Sequence, residues 1–113
     1  MKIWVDDLRP APEGYIHCYT VIQVKNFIQS IEGRNVYYGA HTSEGITPEM
    51  EIELIDLDHD AGDFINQGGD YIKILDWLEA TGRNYPIRIH SQNPVGRENM
   101  RRIIEKNGWK EIR

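Results

Sequence analysis

The chain has 113 residues, of which 40% are hydrophobic and 27% charged, so we expect one ordinary globular domain spanning residues 1–113. The formal net charge of −5 argues against a general DNA- or RNA-coating protein and against an anionic-membrane binder, and no apolar run approaches the roughly 20 residues of a membrane span. The single cysteine, Cys18, excludes an intrachain disulfide and a cysteine-based zinc site. Strand-like sequence begins at once after Met1, with no signal peptide, which predicts a cytoplasmic location.

The first third of the chain predicts two strands and a helix. Residues 3–5 form a short apolar run, typical of a strand buried on both faces, and residues 15–19 predict a second strand. The proline-rich loop between them is shorter than the crossover of about a dozen residues that parallel strands normally need. Either this crossover is an abbreviated loop or the second strand runs antiparallel. Thr20 can cap a helix that continues to about Ile31 and ends at Gly33.

The remainder predicts alternating strands and helices. Residues 35–48 favour an extra strand or hairpin, followed by an apolar strand over residues 52–57. Asp70 can cap the next helix, and residues 86–91 predict another strand. Asn93 and Pro94 open a last helix that stops at Gly108, after which residues 109–112 can add an edge strand. This alternation indicates an α/β fold with a mostly parallel sheet.

Acidic residues are concentrated where the central strand ends. Asp56, Asp58, His59, Asp60 and Asp63 follow one another within a few positions. Carboxylates that lie this close together repel one another and raise each other's pKa, unless a cation or a hydrogen-bond donor offsets the repulsion. Asp56 is ambiguous, because inside the strand it can either face the core or belong to the site. A calcium-binding EF-hand loop is excluded, since alanine stands where that loop requires glycine and glutamine where it requires glutamate.

Two other predicted strands also end in polar residues. The first strand ends at Asp6 and Asp7, and the strand predicted over residues 86–91 ends at His90 and Ser91. Because ligands of open α/β sheets bind beyond the carboxyl ends of the strands, these groups and the acidic cluster can share one pocket. Carboxylates alone suit Mg²⁺ or Mn²⁺, whereas the two imidazoles allow a transition metal or direct acid–base chemistry.

Basic residues and a helix start lie beside this predicted pocket. The helix that opens at Asn93 presents its first backbone N–H groups to the same edge of the sheet, which suits an anion. Arg97, one turn into that helix, and Arg9, in the first loop, can hold a phosphate. Alternatively, Arg97 is a solvated helix residue, and Asp6 with Asp7 is only a strand-end turn.

Three segments, in this order, resemble the cyclic-phosphate processing receiver-like domains, a branch of the response-regulator receiver fold. They are D-D-x-R-P-x-P-x-G at residues 6–14, L-D-H-D-x-G at residues 57–62 and H-S-x-N-P-x-G-x-x-N-M at residues 90–100. The resemblance implies a three-layer, flavodoxin-like fold with a sheet of four or five strands in the order 2-1-3-4(-5). It also implies that Asp6 and Asp7 bind metal, that Asp58 matches the phospho-accepting aspartate, and that Ser91 contacts the phosphoryl group.

Three positions depart from the pattern of the family. Asp56 stands where the family usually has a small residue, and residues 35–50 form a longer segment than is typical. Receivers place a lysine at the end of the fifth strand, and only Lys110 is near such a position here.

These observations predict a metal-dependent, phosphate-handling domain, with a phosphorylated small molecule or an RNA end as its ligand and phosphoesterase activity on cyclic phosphates as the reaction to test. The expected residues fall into three sets. Catalysis is assigned to Asp58, His59 and His90; phosphate binding to Arg9, Ser91, Asn93 and Arg97; and Mg²⁺ or Mn²⁺ binding to Asp6, Asp7, Asp58 and Asp60. The rival hypotheses are a phospho-accepting receiver modified at Asp58 and a non-catalytic binder of a nucleotide or a partner protein.

Overall fold

A computed structural model describes the backbone of residues 1–41 and 51–113 and the side chains of residues 1–33 and 51–113. Four strands and three α-helices alternate along it. They are β1 (Lys2–Val5), β2 (Tyr15–Cys18), α1 (Val21–His41), β3 (Leu54–Leu57), α2 (Ile72–Ala80), β4 (Ile87–Ile89) and α3 (Pro94–Asn107). A single 3₁₀ turn, Gly62–Phe64, lies between β3 and α2. Within these residues no helix is both long enough and apolar enough to cross a membrane.

The four strands form one parallel sheet in the order β2-β1-β3-β4. This confirms the expected receiver-like α/β fold and strand order, and it shows that the first crossover is an abbreviated loop. The register places Trp4 of β1 beside His17 of β2 and Asp56 of β3, and Asp56 beside Arg88 of β4. In the described part of the chain, the expected fifth strand is a single parallel bridge between Ile87 and Glu111.

The three helices pack on the same core. Buried residues of α1, α2 and α3 form one cluster with Ile3 and Val5 of β1 and with the matching positions of the other strands. Trp4 points to the opposite face because neighbouring strand residues alternate. There its indole Nε1 donates a hydrogen bond to the backbone oxygen of Arg9, 3.0 Å away. The β1–β2 loop therefore covers a part of the sheet that a crossover helix would otherwise cover.

The end of α1 differs from the prediction. The helix does not stop at Gly33 but continues to His41, so the strand or hairpin expected from residue 35 is wrong as far as residue 41. The rest of that segment, residues 42–50, lies outside the described residues. A glycine inside a helix costs only about 1 kcal/mol relative to alanine, which the helical hydrogen bonds on either side can offset.

Of the two caps predicted for the later helices, the one at Asp70 is wrong and the one at Asn93 is confirmed. The Asp70 side chain does not cap α2; its Oδ1 instead accepts the backbone N–H of Ala61 at 3.0 Å, which ties down the loop after β3. In α3, Asn93 caps the first turn through Gly96 and is followed by Pro94, as predicted. Gly108, at φ 67°, ends α3 in the left-handed conformation that glycine adopts most readily.

Candidate metal and phosphate site

The carboxyl ends of β1, β3 and β4 meet at one edge of the sheet. The backbone N–H of Asp58 donates to Val5 O at 2.9 Å, and that of His90 donates to Leu57 O at 3.0 Å, so the three strand ends lie side by side. Asp6, Asp58 and His90 each offer one ligand atom, and these atoms all lie within 4.8 Å of one another. This group could hold a metal ion.

Asp6 is a buried carboxylate with several hydrogen-bond donors. Its Oδ1 accepts the backbone N–H groups of Leu8 at 2.9 Å and Arg9 at 2.8 Å, and its Oδ2 lies 2.8 Å from Nε2 of His90. Burial alone would raise the pKa of Asp6, but the two N–H groups and the His90 ring more than offset it. The pKa of Asp6 is therefore lowered, and the ionised side chain holds the start of the β1–β2 loop.

The pKa of the neighbouring residue, Asp7, is shifted in the opposite direction. Burial and then the charges of Asp6, Asp58 and Asp63 raise the pKa of Asp7 above its ordinary value. Its Oδ2 fills the space beside Gly62, only 2.1 Å from where a Cβ at that position would stand. Gly62 also has a φ of 55°, so a side chain there would be both crowded and strained. Asp7 thus lies among carboxylates whose repulsion a bound cation would relieve.

Asp58 retains an oxygen for a ligand. Its Oδ1 accepts the backbone N–H of the next residue, His59, at 2.8 Å. Its Oδ2 has no hydrogen bond among the described residues. Carboxylate oxygens such as those of Asp6 and Asp58 are the ligands that Mg²⁺ and Mn²⁺ prefer, so these two residues fit the expected type of metal. Asp7 lies outside the group of atoms within 4.8 Å of one another, and it adds the charge of a third carboxylate nearby.

His90 lies behind this edge, between two carboxylates. Its Nε2 is 2.8 Å from Asp6 Oδ2 and its Nδ1 is 2.8 Å from Asp56 Oδ1, while its ring stacks on the indole of Trp4 with centroids 3.8 Å apart. The side chain is 8% exposed. Both ring nitrogens are therefore occupied, so in this geometry His90 orients Asp6 and does not present a free nitrogen to a substrate.

The position of Asp56 resolves the ambiguity in the sequence. It is fully buried in β3 on the same sheet face as Trp4, and it contacts His90 and not the acids of the edge. Its Oδ2 has no hydrogen-bond partner in the described structure, although Nη1 of Arg88 lies 3.5 Å away. Asp56 thus connects the site, through His90, to a basic residue at the edge of the sheet.

A second group lies one step further along the chain. His59, Asp60 and Asp70 offer atoms within 4.8 Å of one another, separate from the group of Asp6 and Asp58. Nδ1 of His59 lies 2.9 Å from Asp60 Oδ1, and the imidazole packs against Gly96 of α3. Asp60, expected as a metal ligand beside Asp58, lies in this second group, which could also hold a metal ion, and its carboxylate contacts the His59 ring.

The residues at the start of α3 are largely occupied by the helix itself. Ser91 is buried and its Oγ accepts the N–H of Asn93 at 3.1 Å, while Asn93 Oδ1 accepts the N–H of Gly96 at 3.0 Å. Pro94 has no N–H, and that of Arg97 donates to Asn93 O at 2.9 Å. The first turn therefore has fewer free N–H groups for binding an anion than the sequence suggested, and Asn93 serves as a helix cap.

The two predicted arginines lie in different places. Nη1 of Arg9 donates to the backbone oxygen of His90 at 3.2 Å, which places its guanidinium at the mouth of the acidic site. Arg97 lines a neighbouring cleft, on the side of α3 and the edge strand β4, whose lining includes His90 and Ser91. Structure was needed to find the contact of Trp4 with His90, since an isolated tryptophan gives no signal of such a role in one sequence. Asp63 and Gly96 stand in the acidic cluster and in the third motif, but their interactions with Asp7 and His59 are seen only in the structure.

Comparison with known families agrees with this geometry. The family model of the cyclic-phosphate processing receiver domain matches residues 1–106. No curated protein and no solved structure matches the chain. The match covers nearly all of the sheet, the acidic edge and α3, and the chain belongs to the cyclic-phosphate processing receiver domain family.

Proposed function

We propose that the acidic edge binds Mg²⁺ or Mn²⁺ and, with it, hydrolyses a cyclic phosphate ester such as a nucleoside 2′,3′-cyclic phosphate or a cyclic RNA end. The observation that carries this proposal is the convergence of Asp6, Asp58 and His90, whose ligand atoms all lie within 4.8 Å of one another. Asp7 lies beside this group, and burial together with the charges of Asp6, Asp58 and Asp63 raises its pKa. A carboxylate cluster of this kind is stabilised by a divalent cation, and such ions commonly hold phosphate groups in proteins.

In this proposal Asp6, Asp7 and Asp58 hold the cation. When bound, it would neutralise phosphate charge and polarise a phosphoryl oxygen. Asp6 is the best oriented of the three, because the Leu8 and Arg9 N–H groups and the His90 ring define the position of its carboxylate. Asp58 contributes through the oxygen that its hydrogen bond to His59 leaves available.

The phosphate would be held by groups around the cation. Arg9, already at the mouth through its contact with His90, retains guanidinium N–H groups that can donate to phosphoryl oxygens. The Ser91 hydroxyl accepts a hydrogen bond through its oxygen, which leaves its own hydrogen to donate. Arg9 approaches the phosphate from the loop after β1, and Ser91 approaches it from the end of β4.

His59 is the proposed general base. Asp60 accepts a hydrogen bond from Nδ1–H, which in the neutral ring leaves the Nε2 lone pair to take a proton. In the hydrolysis, a water oxygen forms a bond to phosphorus, its proton passes to His59, and the bond from phosphorus to one ribose oxygen breaks. That oxygen takes a proton from solvent, and the product is a phosphate monoester.

A phospho-accepting receiver is the second candidate, favoured by the position of Asp58 beside Asp6. The position of Lys110 weighs against it. Its backbone oxygen accepts the N–H of Ile87, at the start of β4, whereas Ser91 follows the other end of that strand. Lys110 is therefore not at the carboxyl edge, where a receiver lysine would contact the phosphoryl group.

The test combines metal binding with turnover. Thermal unfolding should shift upward with Mn²⁺ in the wild type and in Asp76→Asn, a matched control at an exposed position of α2, but not in Asp58→Asn. With the metal present, the wild type should convert a 2′,3′-cyclic nucleotide to a monoester and lose this activity with a chelator.

Each alternative has its own outcome. An unchanged metal shift in Asp58→Asn would show that Asp58 is not a ligand. Binding of the cyclic nucleotide without turnover under any divalent metal would favour the binder. An adduct on Asp58 after incubation with acetyl phosphate, detected by mass spectrometry, would favour the receiver.

A further inference from the structure

A basic cleft of about 480 Å³ lies beside the acidic site, between β4, α3 and the last residues of the chain. Its charged lining consists of four arginines and one glutamate. They are Arg88, Arg97, Arg101, Arg113 and Glu111. In a chain of net charge −5, this is a local reversal of sign, and guanidinium groups are suited to phosphate.

Glu111 organises the cleft. It is 10% exposed and receives three hydrogen bonds from Arg101, two from Nε at 3.0 and 3.1 Å and one from Nη2 at 2.8 Å, while Nε of Arg113 lies 3.4 Å away. The hydrogen bonds from Arg101, and then the charges of Arg101, Arg113 and Arg97, hold the pKa of Glu111 below its usual range. The carboxylate therefore fixes guanidinium groups in place before a ligand arrives, which lowers the entropic cost of binding.

Enough donors remain for an anion. Arg101 uses Nε and Nη2 for Glu111, and Arg88 directs Nη1 toward Asp56, so both retain further N–H groups. Arg97 has no ion pair with any described residue and is exposed in the same cleft. Glu111 in the lining and Asp56 behind Arg88 supply two carboxylates against four guanidinium groups, so the cleft keeps a net positive charge.

The cleft is continuous with the proposed phosphate site, because His90 and Ser91 line it as well. The same two residues directly follow β4 beside Asp6, where His90 contacts the carboxylate. A ligand whose reacting phosphate lies at the acidic edge can therefore extend past Ser91 into the cleft. At the edge a phosphate needs a cation, whereas in the cleft the arginines can bind a phosphate directly.

We infer that this cleft is a second phosphate site, which binds the phosphodiester next to the reacting phosphate. The preferred substrate is then an oligonucleotide with a terminal cyclic phosphate and not a mononucleotide. This inference rests on the proposed function of the acidic edge. Free inorganic phosphate could bind the same guanidinium groups, so the experiment compares its affinity with that of the dinucleotide.

The experiment compares a dinucleotide that ends in a 2′,3′-cyclic phosphate with the corresponding mononucleotide, by NMR titration with Mg²⁺ present. The wild type should bind the dinucleotide about tenfold more tightly, and Arg97→Gln should remove most of that preference. Arg102→Gln is the matched control, since Arg102 is on the same helix but does not line the cleft and pairs with Glu98. It should keep the preference within about twofold.

Three outcomes would overturn the inference. The first is that the wild type binds the dinucleotide and the mononucleotide equally well. The second is that Arg97→Gln weakens the binding of both ligands equally, which would assign Arg97 to the reacting phosphate. The third is that inorganic phosphate binds at Arg97 as tightly as the dinucleotide. A dinucleotide with a 3′-hydroxyl end separates the two proposals. If it binds in an Arg97-dependent way while no cyclic end is turned over, the cleft is supported and the hydrolase is not.

Discussion

The imidazole of His59 occupies the space in which a side chain at Gly96 would begin. A Cβ at position 96 would stand 2.5 Å from Cγ of His59, closer than such contacts occur in proteins. Gly96 has no left-handed backbone that would itself require glycine. The first turn of α3 thus contains glycine because the ring of the proposed base packs against it.

Gly96→Ala should therefore displace His59. Alanine favours a helix by about 1 kcal/mol over glycine, but overpacking typically costs 1–3 kcal/mol, so we expect net destabilisation of up to about 2 kcal/mol. Turnover of a cyclic nucleotide should fall as well, because the ring no longer faces its substrate. Urea unfolding and the NMR signals of the His59 ring measure the two effects. Unchanged His59 signals would contradict the packing described here.

Gly33→Ala should have the opposite effect. Gly33 lies inside α1, is exposed, and has nothing within 4 Å of where a Cβ would be. We expect an increase of about 0.5–1 kcal/mol in the free energy of unfolding, from helix propensity alone. The sequence suggested that the helix ends at Gly33. If it did, with that glycine in the left-handed conformation common at helix ends, alanine would lower that free energy.

His90→Ala should unfold the sheet edge more easily. Removing the ring leaves the carboxylates of Asp6 and Asp56 buried without their shared partner, and loss of one member of a buried ionic group typically costs about 3–5 kcal/mol. Urea unfolding measures this cost. In the double variant Asp56→Asn/His90→Ala the cost should be clearly less than the sum of the single effects, since one orphaned charge is gone. Simple additivity would show that the two residues are not coupled.

Asp7→Asn should stabilise the metal-free protein at neutral pH. Because folding raises the pKa of Asp7 above 3.8, the folded state favours the protonated form, and stability is lost as the pH rises from that value through the raised pKa. The variant avoids this loss, so its melting temperature should exceed that of the wild type at pH 7 in a chelator and match it near pH 3.

Asp6→Asn is the matched comparison for Asp7→Asn. Folding lowers the pKa of Asp6, so its carboxylate contributes stability above its ordinary value of 3.8 and loses it as the pH falls through the lowered pKa. The variant should melt below the wild type at pH 7. If both variants shift in the same direction, the two neighbouring acids do not have the opposite environments described above.

Local features of the chain were predictable where the signal was itself local. The cap of α3 at Asn93 and its stop at Gly108 follow from side-chain and backbone conformations within a few residues, and both are confirmed. The end of α1 was not predictable in this way. Gly33 disfavours a helix and Val36, Tyr37 and Tyr38 favour a strand, but these are weak local preferences that neighbouring helical hydrogen bonds override.

The sequence by itself determined that three strands end in acids, imidazoles or a hydroxyl, and that the family motifs stand in order at residues 6–14, 57–62 and 90–100. Only the tertiary structure decided which of these groups meet. It joins His90 to Asp56 and Asp6, assigns Asp60 to His59, and places Arg97 in the neighbouring cleft. The reason is physical: spacing along a strand shows which face a side chain takes, whereas a contact across strands depends on register and on ångström distances.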